Sequence, residues 1–395
     1  MGARTSIRSR LLTVHRWLGL ATGLFLLLAG LTGSVIAFRP GLDVWLNPGL
    51  LHASSSGRVL PLSLLVENAE RSEPRVRVLS LGLPLEPHGV VIAKFAARTD
   101  PATGKPFQLD FNEIYLDPSN GKILGARDTN AVSVDREHLI PFIYRFHQTL
   151  TLPGLLGRWV MGAVAILWVL NGCFGLYLTL PHQIRHWRRW GSAWLPKGGG
   201  GAYRRSLDIH RTAGLWLSCV LLTMAVSGVS LNLSREVFRP VVSLFGVLTP
   251  PPLSVVPKVK QTNPAPPMGW DEAARRAEAS LPAEARNWRV RFIAYLPERN
   301  AYRVRMVEPG FRSMPFHIRE EQRYLDAHTG RVVAATGYIG GTAADRYIEW
   351  QYPLHSGQVL GLAGRIFISL VGLCVAALAI TGGVMWWKKK GKPGR

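Results

Sequence analysis

Long apolar runs alternate with polar stretches along this chain, and four runs approach or exceed the roughly 20 residues that a bilayer crossing needs. They cover about 15–38, 158–180, 211–233 and 358–387. The polar stretches between them, 39–157 and 234–357, carry shorter periods. PLSLLVENAERS predicts a short helix, RVRVLSL and GVVIAKFA predict strands, and FNEIYLDPSNGKILGARD predicts a hairpin turned at DPSNG. The second stretch repeats that order. MGWDEAARRAEASLP predicts an amphipathic helix, WRVRFIAYL and AYRVRMVE predict strands, and EEQRYLDAHTGRVVAAT follows as the hairpin. Residues 243–267 are proline-rich and read as an extended tether.

The resemblance between the stretches extends to the spans. Tyr115-Leu-Asp-Pro-Ser-Asn-Gly-Lys matches Tyr324-Leu-Asp-Ala-His-Thr-Gly-Arg, and VHRWLGL at 14–20 matches IHRTAGL at 209–215. His147 follows Tyr115 by 32 residues and His355 follows Tyr324 by 31, while Gly33 and Gly228 each fall 18 residues after His15 and His210. The unit span, outer module, histidine, span therefore occurs twice in one orientation, which implies an approximate twofold axis along the membrane normal. The expected fold is an integral membrane α-helical protein with four transmembrane helices in two parallel repeats and two outward α+β modules. Its expected segments are a cytoplasmic N-terminus (1–14), helix 15–38, outer module 39–146, a histidine-bearing segment with its helix (147–180), and a basic cytoplasmic loop (181–208). Then come helix 209–233, a linker and outer module (234–354), a second histidine-bearing segment with its helix (355–387), and a basic tail (388–395).

Charge sets the orientation. The net charge is +22, and Arg4, Arg8 and Arg10, the loop arginines Arg185, Arg188, Arg189, Arg204 and Arg205, and the KKKGKPGR tail all flank spans on one side. That asymmetry predicts both termini in the cytoplasm and the large loops in the periplasm of a bacterial inner membrane. The first span is too long and lacks the cleavage site of a signal peptide, so it reads as an uncleaved anchor. No nucleic-acid-binding motif accompanies the charge, so the basic partner is the lipid bilayer. Cys173, Cys219 and Cys374 all lie in spans, which excludes a disulfide framework and covalent c-type haem attachment.

Four histidines stand at span edges: His15, His147, His210 and His355. Threading the spans in order puts His15 with His210 on one side and His147 with His355 on the other. Neutral imidazole is a good axial ligand for haem iron, so two such pairs are what two non-covalent b-type haems would need. Arg16, Arg158, Arg211 and Arg365 occur in repeat-related pairs and are candidates to neutralise haem propionates, with interface anchoring as the plainer role. Trp168 and Trp216 could bridge two haems or simply pack. His182 and His186 share a helical face at i,i+4, a thin case for zinc. His52, His88, His138, His317 and His328 read as ordinary loop residues. No G-x-S-x-G, H-E-x-x-H or nucleotide fingerprint is present, so no catalytic residue is assigned and an electron donor must come from outside: a membrane quinol or a separate reductase.

With the His-Arg-x-x-Gly-Leu helix starts, His147, His355 and the paired Tyr-Leu-Asp…Gly hairpins in view, the chain resembles the PepSY-associated transmembrane helix family of bacterial inner-membrane proteins over nearly its whole length. The hairpins at 115–122 and 324–331 match the closing part of PepSY modules. Some members resemble siderophore-iron reductases, which bind haems between transmembrane helices. That resemblance implies a reductase that passes electrons to a periplasmic ferric siderophore and releases Fe(II), with His15 and His210 on the cytoplasmic-side haem and His147 and His355 on the periplasmic-side haem. A receptor or regulator that binds a periplasmic peptide or protein is the alternative; a transporter is disfavoured by the few buried polar residues in the spans.

Overall fold

The computed structural model describes residues 2–54, 57–181, 183–259 and 266–390. Helix α1 (Gly2–Ile36) leads into the short α2 (Arg39–Leu46) and α3 (Pro48–Leu51), then α4 (Leu62–Ser72) and strands β1 (Val76–Gly82), β2 (Val91–Ala97), β3 (Glu113–Leu116) and β4 (Ile123–Arg127). Next come α5 (Leu139–Thr149), α6 (Leu156–Thr179), α7 (Ala202–Trp216), α8 (Ser218–Asn232), α9 (Arg239–Ser243) and α10 (Pro252–Val255). The last part holds α11 (Trp270–Ala279), strands β5 (Arg289–Leu296), β6 (Ala301–Val307), β7 (Glu320–Asp326) and β8 (Val332–Gly337), then α12 (Ala343–His355) and α13 (Gly361–Lys390). The chain divides into two compact units. One comprises Met1–Phe38, Ile143–Val241 and Trp350–Arg395; the other comprises Arg39–Phe142 and Val242–Glu349.

The first unit is helical and apolar. Three helices, Ile7–Ile36, Leu156–Thr179 and Gln358–Lys389, are each long and apolar enough to cross a membrane. The third expected span is not one helix. It breaks at Leu217, and α7 and α8 meet at 72°. No proline lies there. The end of α7 is held from the side, because the Trp216 indole donates to the Trp194 carbonyl at 3.0 Å and packs edge-on against that ring. α1 packs on α6 and α13, α6 on α8, and α13 on α7. The α1–α13 crossing is close enough that a Cβ at Gly30 would lie 2.5 Å from the Gly372 carbonyl, and Ser34 and Ser369 hydrogen-bond each other's backbone across it. In lipid, association depends on such small-residue contacts rather than on apolar burial.

The second unit is built on one antiparallel sheet of eight strands, ordered β4-β3-β2-β1-β5-β6-β7-β8. Two modules were expected; their first strands pair at the centre, Ser80 with Ala294, Leu81 with Ile293 and Gly82 with Phe292, so the sheet runs through both. The reason is an edge each module would otherwise expose, with Leu81 and Ile293 both fully buried at the seam. α4 and α11 pack on one face, and Asp271 of α11 caps α4 by accepting from Leu62 N at 2.7 Å and Ser63 N at 3.0 Å. The core includes Leu65, Val76, Ile114, Trp270, Tyr295, Tyr302 and Met306. The tether expected over 243–267 is partly folded, because Leu253 and Val256 pack on Ala301 and Tyr324, and Thr249 bonds Asp345. Residues 260–265 lie outside the described residues.

Candidate functional site

The four span-edge histidines meet in two pairs within the helical unit. His15 on α1 faces His210 on α7, with ring centres 6.3 Å apart and planes at 76°. His147 on α5 faces His355 on α12, at 6.4 Å and 63°. An imidazole–metal bond of about 2 Å plus roughly 1.1 Å from nitrogen to ring centre would put two imidazoles on one metal about 6.2 Å apart. Both pairs have that spacing. Because His147 lies against Thr32 and His15 lies 17 residues earlier on the same helix, the two levels are about 26 Å apart along α1, at about 1.5 Å per residue.

Each histidine is held through Nδ1, which leaves Nε2 as the nitrogen available to a metal. His15 Nδ1 bonds the Asn171 carbonyl at 3.1 Å. His210 Nδ1 reaches the Leu378 carbonyl at 3.1 Å and Thr381 Oγ1 at 3.0 Å. His147 Nδ1 reaches Thr32 Oγ1 at 3.0 Å beside the Ala29 carbonyl, and His355 Nδ1 reaches Ser227 Oγ at 2.8 Å beside the Met224 carbonyl. Glycines let the rings in: a Cβ at Gly175 would lie 3.0 Å from His15 Cε1, and one at Gly33 would lie 3.1 Å from His147 Cε1.

Three of the four expected arginines keep a buried guanidinium nitrogen without a protein partner, the Nε of Arg16, Arg211 and Arg365. Arg211 is otherwise tied by Nη2 to Asp208 and the Leu195 carbonyl. Arg158 differs: it is exposed, and its Nη2 donates to the Asn232 carbonyl at 3.2 Å. Sequence reasoning missed Asn171, Thr212 and Gln358, each with a buried side-chain oxygen lacking a partner. It also missed the Thr32, Ser227 and Thr381 hydroxyls, although their signal, a Ser or Thr just before a span glycine, was visible.

Among the described residues, the remaining histidines are not part of this site. His186 lies in a short helical segment with a non-helical backbone, φ −99° and ψ 24°, while His182 lies outside the described residues. His52 and His88 stack face to face at 4.9 Å in the α+β unit. Trp216 belongs to a tryptophan row with Trp187, Trp190 and Trp194, at 5.1–5.3 Å between ring centres. Among the described residues no group of three or more His, Cys, Asp or Glu is placed to hold a bare metal ion. In the α+β unit, residues of both modules, including Arg58, Leu62, Asp271, Arg289, Glu308 and Phe311, line a cavity of about 1160 Å³.

A multi-pass helical membrane unit bearing paired histidines, joined to an α+β unit, is the class that fold and site define. The family model of the PepSY-associated TM region matches residues 12–389, and the chain belongs to that family. No curated protein matches it.

Proposed function

We propose that the chain is a di-haem membrane reductase, with His15 and His210 holding one b-type haem and His147 and His355 the other. The observation that carries this reading is the pair of ring spacings, 6.3 and 6.4 Å, with every Nδ1 already bonded to protein. A bis-histidine haem supplies a one-electron carrier. The chain's part is to hold each imidazole neutral and oriented, and to offer Arg16, Arg211 and Arg365 to propionates. Two levels spaced along α1 suit electron passage across a bilayer. The acceptor proposed from the family resemblance is a periplasmic ferric siderophore, and the donor is a membrane quinol or a separate reductase. The termini and the 181–208 loop lie in the cytoplasm on this reading, and the α+β unit lies in the periplasm, because the arginines crowd one side.

The test is the haem-to-protein ratio of detergent-purified protein by pyridine haemochrome. Two low-spin haems are expected. His15→Ala and His210→Ala should each lose one, and His147→Ala and His355→Ala the other. Haem-free protein from haem-replete cells sinks the reading. With haem present, reduced protein mixed with a ferric siderophore should release Fe(II) to a ferrous chelator. The cavity in the α+β unit favours a second reading, a receptor for a periplasmic peptide or protein. Haem-free protein in which an added periplasmic peptide protects α11 and β5 from hydrogen exchange would select it.

A further inference from the structure

The contacts that hold the four histidines repeat one short pattern on the facing helix. A backbone carbonyl at one position and a side chain three residues on form the seat; a glycine follows in sequence, and a Cβ there would meet the ring at Gly33, Gly175 and Gly382 but not at Gly228. The four seats are Ala29/Thr32/Gly33 for His147, Met224/Ser227/Gly228 for His355, Leu378/Thr381/Gly382 for His210, and Asn171/Phe174/Gly175 for His15. In the first three, the middle residue is a hydroxyl at 2.8–3.0 Å from Nδ1. Each hydroxyl gives its own proton to the carbonyl four residues back: Thr32 to Leu28, Ser227 to Thr223 and Thr381 to Ala377. Its lone pairs therefore face the imidazole N–H, which makes the hydroxyl an acceptor. That fixes the tautomer and makes Nε2 a better donor to iron. The seat facing His15 has Phe174 in the hydroxyl position; there the ring meets the Asn171 carbonyl at 3.1 Å and, more weakly, the Asn171 side chain, but no hydroxyl.

We propose that this missing hydroxyl makes His15 the most weakly held of the four axial ligands, and the His15/His210 site the one that admits a small neutral exogenous ligand. Thr32, Ser227 and Thr381 are positioning residues that act through their histidines. The proposal rests on the di-haem reading.

The experiment is carbon monoxide uptake by the reduced, detergent-purified full chain, followed by absorption alongside its haem content. The wild type should take up one carbon monoxide per two haems. Phe174→Thr, which restores the hydroxyl, should abolish the uptake and lower that haem's midpoint potential. Phe174→Leu, which removes the ring without adding an acceptor, should leave the uptake in place. Ser227→Ala should open the second site and raise uptake toward two. A preparation with two haems that takes up none, or whose uptake Phe174→Thr leaves unchanged, overturns the proposal. A preparation without haem overturns the di-haem reading instead.

Discussion

At the scale of single residues, the α+β unit shows how buried charge is held. Arg127 and Asp43 are nearly inaccessible, with side chains 3% and 8% exposed, and form two hydrogen bonds of 2.9 and 3.1 Å. Tyr115 accepts from Arg127 Nε and donates to Glu113, so the guanidinium is enclosed by partners. Removing one member leaves the other charge buried and alone, so Asp43→Ala should destabilise the unit by about 3–5 kcal/mol. A chemical melt of the full chain, read by hydrogen exchange at β4, checks this. Asp117 is the pH-sensitive case. Burial pushes its carboxyl up, but hydrogen bonds from Ser119 and Ser54 outweigh that and hold it at about 2. Its folded pKa is depressed, so its stabilisation is complete above the ordinary aspartate pKa and is lost as pH falls toward 2. Asp117→Asn should therefore cost about 2 kcal/mol at pH 7, with the gap closing between about pH 4 and 2 in exchange measurements on β3 amides.

At the scale of elements, the α1–α13 contact rests on glycine. Gly30 and Gly372 bring the α1 and α13 backbones together, whereas a Cβ at Gly23 would meet nothing within 4 Å. Gly30→Val should lower the melting temperature in detergent by several degrees, and Gly23→Val should leave it unchanged; equal effects would mean that helix propensity, not the crossing, is being measured. The break between α7 and α8 is a second element-level feature. Apolar composition over 211–233 runs straight through it, because hydropathy records what lipid tolerates and not where a helix bends. His147 and His355 likewise sit on helices of their own, separated from the spans by turns with positive φ at Leu150, Thr151, Gly154, Gly357 and Gly361. A histidine that simply continued its span would be carried past the ring it faces.

At the scale of the whole molecule, the eight-stranded sheet makes the two modules one cooperative body. Ile293 is fully buried beside the central pairing. Ile293→Ala should cost about 2–5 kcal/mol. The loss should appear in hydrogen exchange at β3 as well as β7; protection lost only on the β5–β8 side would show that the modules open separately. Orientation is tested at the same scale. Ser313 in the α+β unit and Ser192 in the basic loop are both exposed. A membrane-impermeant thiol reagent applied to spheroplasts should label Ser313→Cys and spare Ser192→Cys.

Local pattern determined a great deal. Apolar length marked α1, α6 and α13, alternation and turn residues marked all eight strands near their observed limits, and internal matching exposed the histidines as equivalent positions. These properties are written in neighbouring residues, since the periods of helix and strand are short. The tertiary structure decided what meets across distance: the pairing of β1 with β5, the kink at Leu217, and which imidazole each of the Thr32, Ser227 and Thr381 hydroxyls meets. Such contacts depend on which faces of separate elements pack together, and no short-range period carries that information.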